Sequence, residues 1–409
     1  MTSTTVSGST KTISAGMSNT WAYQGSATRG RDLRIDFLRG WAMVIMVVAH
    51  TEVFSVFNLF TSERLGLISG AEGFVLFSGF VLGQVYRPRL RIDGWITSIY
   101  RLWSRAWKLY IVSLIIIIMI WLLSLLPFIN AHEVMSFTDR GSGKVYPLYP
   151  TGSFDLTDSL NRLFFLQAGP HQTQVLGLYI FLMFFTPVAF AAFYRRWHWA
   201  FLAGSWLVYG VYQLTHYRLV NTQTEYAFPL MAWQVLFFNG MAVGWFRHEI
   251  ATYLQGTWRK IVLGFCISFS AVMFFVAQNH TNLFLPEWSR LRLIPPETFN
   301  WVYSHYALKG QLGPLRLLND ATLYITLYWL LTVAWRPINK ALGWYLVPVG
   351  QASLYVFIIH VFIVLIASQI VTFSLTPIHW ITGTLVHGGA LMLLWWMTKH
   401  KVWANVIPN

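Results

Sequence analysis

Apolar runs of about twenty residues recur ten times along this chain, and a segment of that length and composition is what an α-helix needs to cross a bilayer. They lie near 36–57, 69–86, 104–127, 174–194, 198–215, 228–246, 259–277, 316–335, 350–373 and 379–398. A soluble core of 409 residues does not need so many. The expected fold is therefore all-α, a polytopic membrane helix bundle of about ten transmembrane helices. Composition agrees: 56% of residues are hydrophobic and 11% charged, against roughly 25% charged in soluble domains. The 21 Trp and 19 Tyr suit membrane–water interfaces. The second run is rich in glycine (Gly70, Gly73, Gly79, Gly83), which lets helix backbones approach closely.

Charge placement fixes an orientation. With the N-terminus cytoplasmic, the inner segments hold Lys11, Arg29, Arg31, Arg34, Arg39, Arg87, Arg89, Arg91, Arg101, Arg105, Lys108, Arg195, Arg196, Arg247, Arg259, Lys260, Arg336, Lys340, Lys399 and Lys401, 20 of the 29 basic residues. Ten spans with both termini cytoplasmic satisfy the positive-inside rule, and an odd number breaks the alternation. The net charge of +14 then reflects topology and anionic lipid headgroups. Nucleic acid is not an expected partner, because the basic residues sit at helix ends and not on a soluble domain. Localisation in a bacterial inner membrane, multi-pass, is the corresponding expectation.

Residues 1–30, rich in Ser, Thr and Gly, read as a disordered cytoplasmic tail without the apolar core of a signal peptide. The first run is expected to act as an uncleaved signal anchor, and residues 31–409 as one transmembrane domain. Two outer segments are long, near 128–173 and 278–315. They carry Tyr146, Tyr149, Asp155, Asp158 and His171, and Trp288, Arg290, Glu297, Trp301 and His305. Loops of this length are often functional; they suit a sugar platform as well as simple packing over helix ends.

Ionisable groups at membrane depth are costly and usually functional. His50 closes the first run 14 residues after Asp36, about 21 Å along a helix. That puts it deep in the outer half, where it could serve as a general base toward a sugar hydroxyl or as a structural histidine. Glu72 opens the second run at the same outer level. It could orient the imidazole as a triad carboxylate does, or simply favour the helix N-terminus; Glu52 is a weaker competitor. Arg101, Arg105 and Lys108 fall on one helix face at i, i+4 and i+7. They could hold the phosphates of an anionic donor such as acyl-CoA, or anchor the helix by snorkelling. Further polar points are Ser78, Trp233, Gln234, His360 and Arg316. For His360 an interhelical hydrogen bond is the favoured reading, and Arg316 and Asp320 could pair at i, i+4. The one cysteine, Cys266, sits in an apolar run as a filler and permits neither an intrachain disulfide nor a thiolate metal site. No metal is expected at the site, and no permanently bound cofactor.

Some signatures are missing from the sequence: GxxxxGK[ST], HExxH, the HxxxD of soluble acyltransferases and the GxSxG elbow. What is present resembles a known family. Arg31-Asp32-Leu33-Arg34-Ile35-Asp36-Phe37-Leu38-Arg39-Gly40, followed by an apolar run to His50, resembles the first helix of the OpgC family, membrane succinyltransferases of osmoregulated periplasmic glucans related to the acyltransferase-3 group. Ala71-Glu72-Gly73-Phe74-Val75-Leu76-Phe77-Ser78-Gly79-Phe80 is similar to their second helix. Arg105-Ala106-Trp107-Lys108-Leu109-Tyr110 is similar to the arginine pair opening the third, with Lys108 in place of the second arginine. That exchange removes the bidentate contact an arginine offers a phosphate. Pro229 to Phe237, Leu312 to Leu317 and Ser353 to Phe357 resemble later signatures in the same order.

The resemblance implies transfer of an acyl group, succinyl in that family, from cytoplasmic acyl-CoA (succinyl-CoA as co-substrate) to hydroxyls of a periplasmic glucan. The histidine ending the first helix, here His50, is implied as the essential residue. Arg39, Arg101, Arg105 and Lys108 are the expected donor-binding set, and Ser78, Trp233, Gln234, Arg316 and His360 the candidate acceptor or pocket residues. The alternatives are an O-acetyltransferase of another envelope polysaccharide and a secondary transporter; the latter lacks a clear inverted repeat of broken helices.

Overall fold

The computed structural model describes residues 32–139, 142–150, 155–373 and 379–403. The expected disordered tail, residues 1–30, lies outside the described residues. Each of the ten apolar runs folds as a helix: α1 (Leu33–His50), α2 (Gly70–Ile92), α3 (Trp95–Ser124), α4 (Gln174–Tyr194), α5 (His198–Thr215), α6 (Leu230–Trp245), α7 (Gly256–Ala277), α8 (Pro314–Val333), α9 (Ser353–Ile370) and α10 (Trp380–Lys399). Among the described residues, four helices are long and apolar enough to cross a membrane: α3, α4 with its preceding turn, α7 and α9. They become five if α8 and the segment Trp335–Gln351, bent 95° from it, count as one broken span. Large apolar side chains such as Ile261, Phe265, Val272 and Phe275 on α7 are exposed, which suits a lipid solvent and not water.

Three boundaries differ from the sequence reading. α1 stops at His50 and does not run on to residue 57, so the imidazole stands at the helix C-terminus. α2 is not short: it runs for 23 residues, because the arginines after Tyr86 continue it. α3 starts at Trp95, nine residues before the apolar run, on an amphipathic turn that carries Arg101. The segment 128–173 holds an antiparallel hairpin, Ser136–Thr138 with Val145–Pro147.

The start of α1 is fixed by its own sequence. Asp32 caps the helix by accepting from the Arg34 amide at 3.0 Å, pairs with the Arg34 guanidinium at 2.8 Å, and accepts from the Tyr328 hydroxyl of α8 at 2.7 Å. Two of the charges that open the first run are thus consumed in joining α1 to α8. α2 and α6 make the closest crossing. Gly79 and Gly83 lie against the Phe237 and Met241 carbonyls, and a Cβ at either would collide with backbone. This contact fixes the height of α2, and with it the N-terminal end where Ser69 and Glu72 sit. Around it a buried core of Phe74, Tyr179, Trp233, Phe237 and Phe357 joins α2, α4, α6 and α9.

Candidate functional site

His50 meets His360 across the bundle. The His50 Nδ1 and His360 Nε2 atoms are 2.9 Å apart, and the rings lie nearly parallel at 23°. His360, buried on α9, bonds through Nδ1 to the Phe357 carbonyl of its own helix. A carbonyl can only accept, so His360 Nδ1 carries the hydrogen and its Nε2 presents a lone pair. His50 must then donate from Nδ1, which leaves His50 Nε2 as an unprotonated acceptor. The backbone of α9 thereby sets the tautomer of a ring on α1. The ring also stands at the negative end of the α1 dipole, which favours an imidazolium when it forms.

The expected partnership of Glu72 with His50 does not occur. Glu72 closes a capping box on Ser69, whose amide donates to it at 2.8 Å, and its other oxygen takes Arg316 Nη1 at 2.9 Å. The physical reason lies in the sequence: Ser69-x-x-Glu72 folds the carboxylate back on its own helix start, and a guanidinium with no exposure needs a counter-charge. Arg316 does not pair with Asp320 either. It reaches Glu63 at 2.7 Å, the Tyr303 hydroxyl at 3.1 Å and the Ala307 carbonyl at 2.8 Å. Burial by itself would raise the Glu63 carboxyl, but Arg316 and His280 outweigh it and hold it at about 2. This network ties the segment 278–315 and the loop that carries Glu63 to α2 and α8. Removing one partner of such a buried pair costs about 3–5 kcal/mol, which makes Arg316 and Glu72 supports and not pocket residues.

A small cavity of about 30 Å³ opens on His50 and is walled by Met46, Ala49, Ser69, Gly70, Ala71, His171, Gln172, Val175, Phe228 and Lys309. That is room for a water or two. His171 stands edge-on to His50 with ring centroids 5.7 Å apart. Among the described residues the buried Gln172 side-chain oxygen has no hydrogen-bond partner. The sequence reading named His171 only as part of a loop, and missed Ser69, Gln172 and Lys309 as wall residues. Their shared signal was weak: polar residues at the ends of the two long outer segments and at the head of α2.

A second cavity, about 350 Å³, is lined by Tyr100, Arg101, Ser104, Arg105, Lys108, Leu109 and Leu354. The stripe expected on α3 thus faces one space. Arg101 spends part of its charge on Asp93. Among the described residues neither the Arg105 guanidinium nor the Lys108 ammonium makes a hydrogen bond or ion pair. Arg39 is not in the lining; its guanidinium bonds Ser353, the residue before Leu354. Leu354 and His360 sit on the same helix six residues apart, about 9 Å along the axis. Between them Phe357 stacks on Phe74 at 5.4 Å, and Tyr179 packs on Phe74 at 5.8 Å. α9 thus reaches the larger cavity at Leu354, and at His360 it reaches His50, which lines the smaller one.

The other polar points are spent locally. Ser78 is buried on α2. Gln234 exchanges hydrogen bonds with Ser205, accepting from its hydroxyl at 2.6 Å and donating to its carbonyl at 2.8 Å. The Trp233 indole donates to the Gly310 carbonyl at 3.1 Å.

A bundle of apolar helices with exposed hydrophobic flanks, four or five of them long and apolar enough to span a bilayer among the described residues, points to an α-helical membrane protein. The family profile described as OpgC protein matches residues 31–406, and the chain belongs to that family. Membership implies an acyltransferase in general. Comparison with curated proteins and with solved structures returns no match.

Proposed function

We propose that this protein moves an acyl group, succinyl by family, from cytoplasmic acyl-CoA to hydroxyls of a periplasmic glucan. It does so from an inner membrane that it crosses ten times with both termini inside. The observation that carries the reading is the His360-held tautomer of His50, which leaves Nε2 unprotonated on a ring that lines a small cavity. The donor phosphates dock at Arg105 and Lys108, with Arg101 beside them. The arm carrying the thioester passes along α9, displacing the Phe74–Phe357 stack, and brings its carbonyl to His50. His50 Nε2 takes the proton of a sugar hydroxyl as that oxygen attacks the thioester carbon. The C–S bond of the tetrahedral adduct breaks, the ester forms, and His50 Nε2–H returns its proton to the departing CoA thiolate. Atoms and charge balance, and no further reactant is needed.

The test is transfer of labelled succinyl from succinyl-CoA to glucan by purified protein in detergent, with no second compartment present. His50→Ala is expected to abolish transfer while leaving the protein folded and membrane-extractable. Full transfer by that variant contradicts the mechanism.

A further inference from the structure

The wall of the His50 cavity carries one cation that the transfer mechanism leaves unused. Lys309 is half-buried on that wall, and among the described residues its ammonium makes no hydrogen bond or ion pair. The turn that bears it is held from three sides. The Trp233 indole donates to the Gly310 carbonyl at 3.1 Å, the Gln213 amide to the Gln311 carbonyl at 2.8 Å, and the Tyr209 hydroxyl to the Leu312 carbonyl at 2.9 Å. The Leu312 amide closes the turn on the Lys309 carbonyl at 3.0 Å. Three consecutive carbonyls, each taken by a side chain from α5 or α6, make a fixed mount for a flexible cation. An ammonium held without a partner beside an apolar interior calls for an anion.

The position of that anion follows from the order of the two cavities. A donor whose phosphates lie against Arg105 and Lys108 presents its thioester to His50 from one side. Lys309 belongs to the long segment preceding α8 and lines the cavity beside Ser69, Gly70 and Ala71 at the start of α2, whereas Arg105 lies on α3, which follows the other end of α2. The far end of the acyl chain, beyond the thioester carbonyl, therefore points at Lys309. The cavity holds only about 30 Å³ as it stands, so the arriving chain pushes the lysine arm outward, and the ammonium can follow the group it binds.

We propose that Lys309 is the residue that selects a carboxylate-ended acyl group, pairing with the free carboxylate of a dicarboxylic acyl thioester while His50 acts on the other end. The assignment rests on the acyl-transfer reading above. It makes Lys309 a specificity determinant, and it gives Trp233 and the turn before α8 the task of holding that determinant at a set distance from the imidazole.

The experiment compares succinyl-CoA with butyryl-CoA, which has the same chain length and no charge, in detergent-purified full-length protein. The wild type should favour succinyl. Lys309→Met should lower kcat/KM for succinyl-CoA roughly 10- to 100-fold, the scale of one lost charge-assisted hydrogen bond, and leave butyryl-CoA unchanged or improved. Butyryl transfer is thus the internal control for folding. Lys309→Glu should invert the preference toward the cationic 4-aminobutyryl-CoA. Equal losses on both donors would make Lys309 an oxyanion or packing residue and overturn the assignment, as would no loss on either. A wild type that transfers succinyl and butyryl equally also overturns it while acyl transfer stands. A wild type that transfers neither brings down both readings.

Discussion

Replacing His360 by Ala isolates what the second imidazole contributes. His360 Nε2 sits 2.9 Å from His50 Nδ1 and is the partner that keeps Nε2 of His50 unprotonated. In the transition state His50 turns cationic, so this hydrogen bond becomes charge-assisted and is worth about 1.5–3 kcal/mol. Its loss should lower kcat roughly 10- to 150-fold. KM for acyl-CoA should change little, because the donor cavity reaches α9 at Leu354, six residues earlier. His360→Gln supplies an amide oxygen near the position of the lost Nε2 and should recover part of the rate. The assay is initial-rate transfer at saturating donor, with a thermal-unfolding control in detergent for the hole left beside Phe357. A His360→Ala enzyme that keeps kcat within about threefold of wild type would refute the tautomer argument.

Two further outcomes follow from the charged groups. Arg105→Ala and Lys108→Ala should each raise KM for acyl-CoA about tenfold, the scale of one charged hydrogen bond, with kcat nearly unchanged. Competition by free CoA should weaken in parallel, and an unaltered CoA inhibition constant would count against the donor site. Glu63 is held at about 2 against an ordinary 4.5, a difference worth about 3 kcal/mol of stability. Because its carboxyl is lowered in the fold, that stability is complete above pH 4.5 and disappears as pH falls toward 2. Glu63→Gln should lower the thermal midpoint at neutral pH and flatten its decline across that window; parallel curves for variant and wild type would exclude the network as the cause.

The helices were legible in the sequence because an apolar run is a local signal. The donor stripe was legible for the same reason: Arg101, Arg105 and Lys108 share a helix face by spacing alone, and that face lines one cavity. The histidine pair was only half legible. His50 stands out as a histidine ending an apolar run, but its partner lies 310 residues away, and no periodicity links two helices that far apart. Lys309 and Gln172 were hidden for a related reason, since both sit where outer segments turn back into helices and their neighbours come from other parts of the chain. Glu72 is the instructive error. Nearness in depth to His50 suggested a triad carboxylate, while Ser69-x-x-Glu72 already carried a capping signature. The capping box and the buried Arg316 claim both carboxylate oxygens.

The most direct trial of the account is a density map of the protein bound to an unreactive ketone analogue of succinyl-CoA, in which a methylene separates the sulfur from the acyl carbonyl. The account predicts phosphates at Arg105 and Lys108, the Phe74–Phe357 stack parted, and the acyl carbonyl in near-attack range, about 3.5 Å, of a hydroxyl-sized site on His50 Nε2. An analogue whose nucleotide lies away from α3, or whose acyl carbon stays below an unbroken aromatic stack, would contradict it.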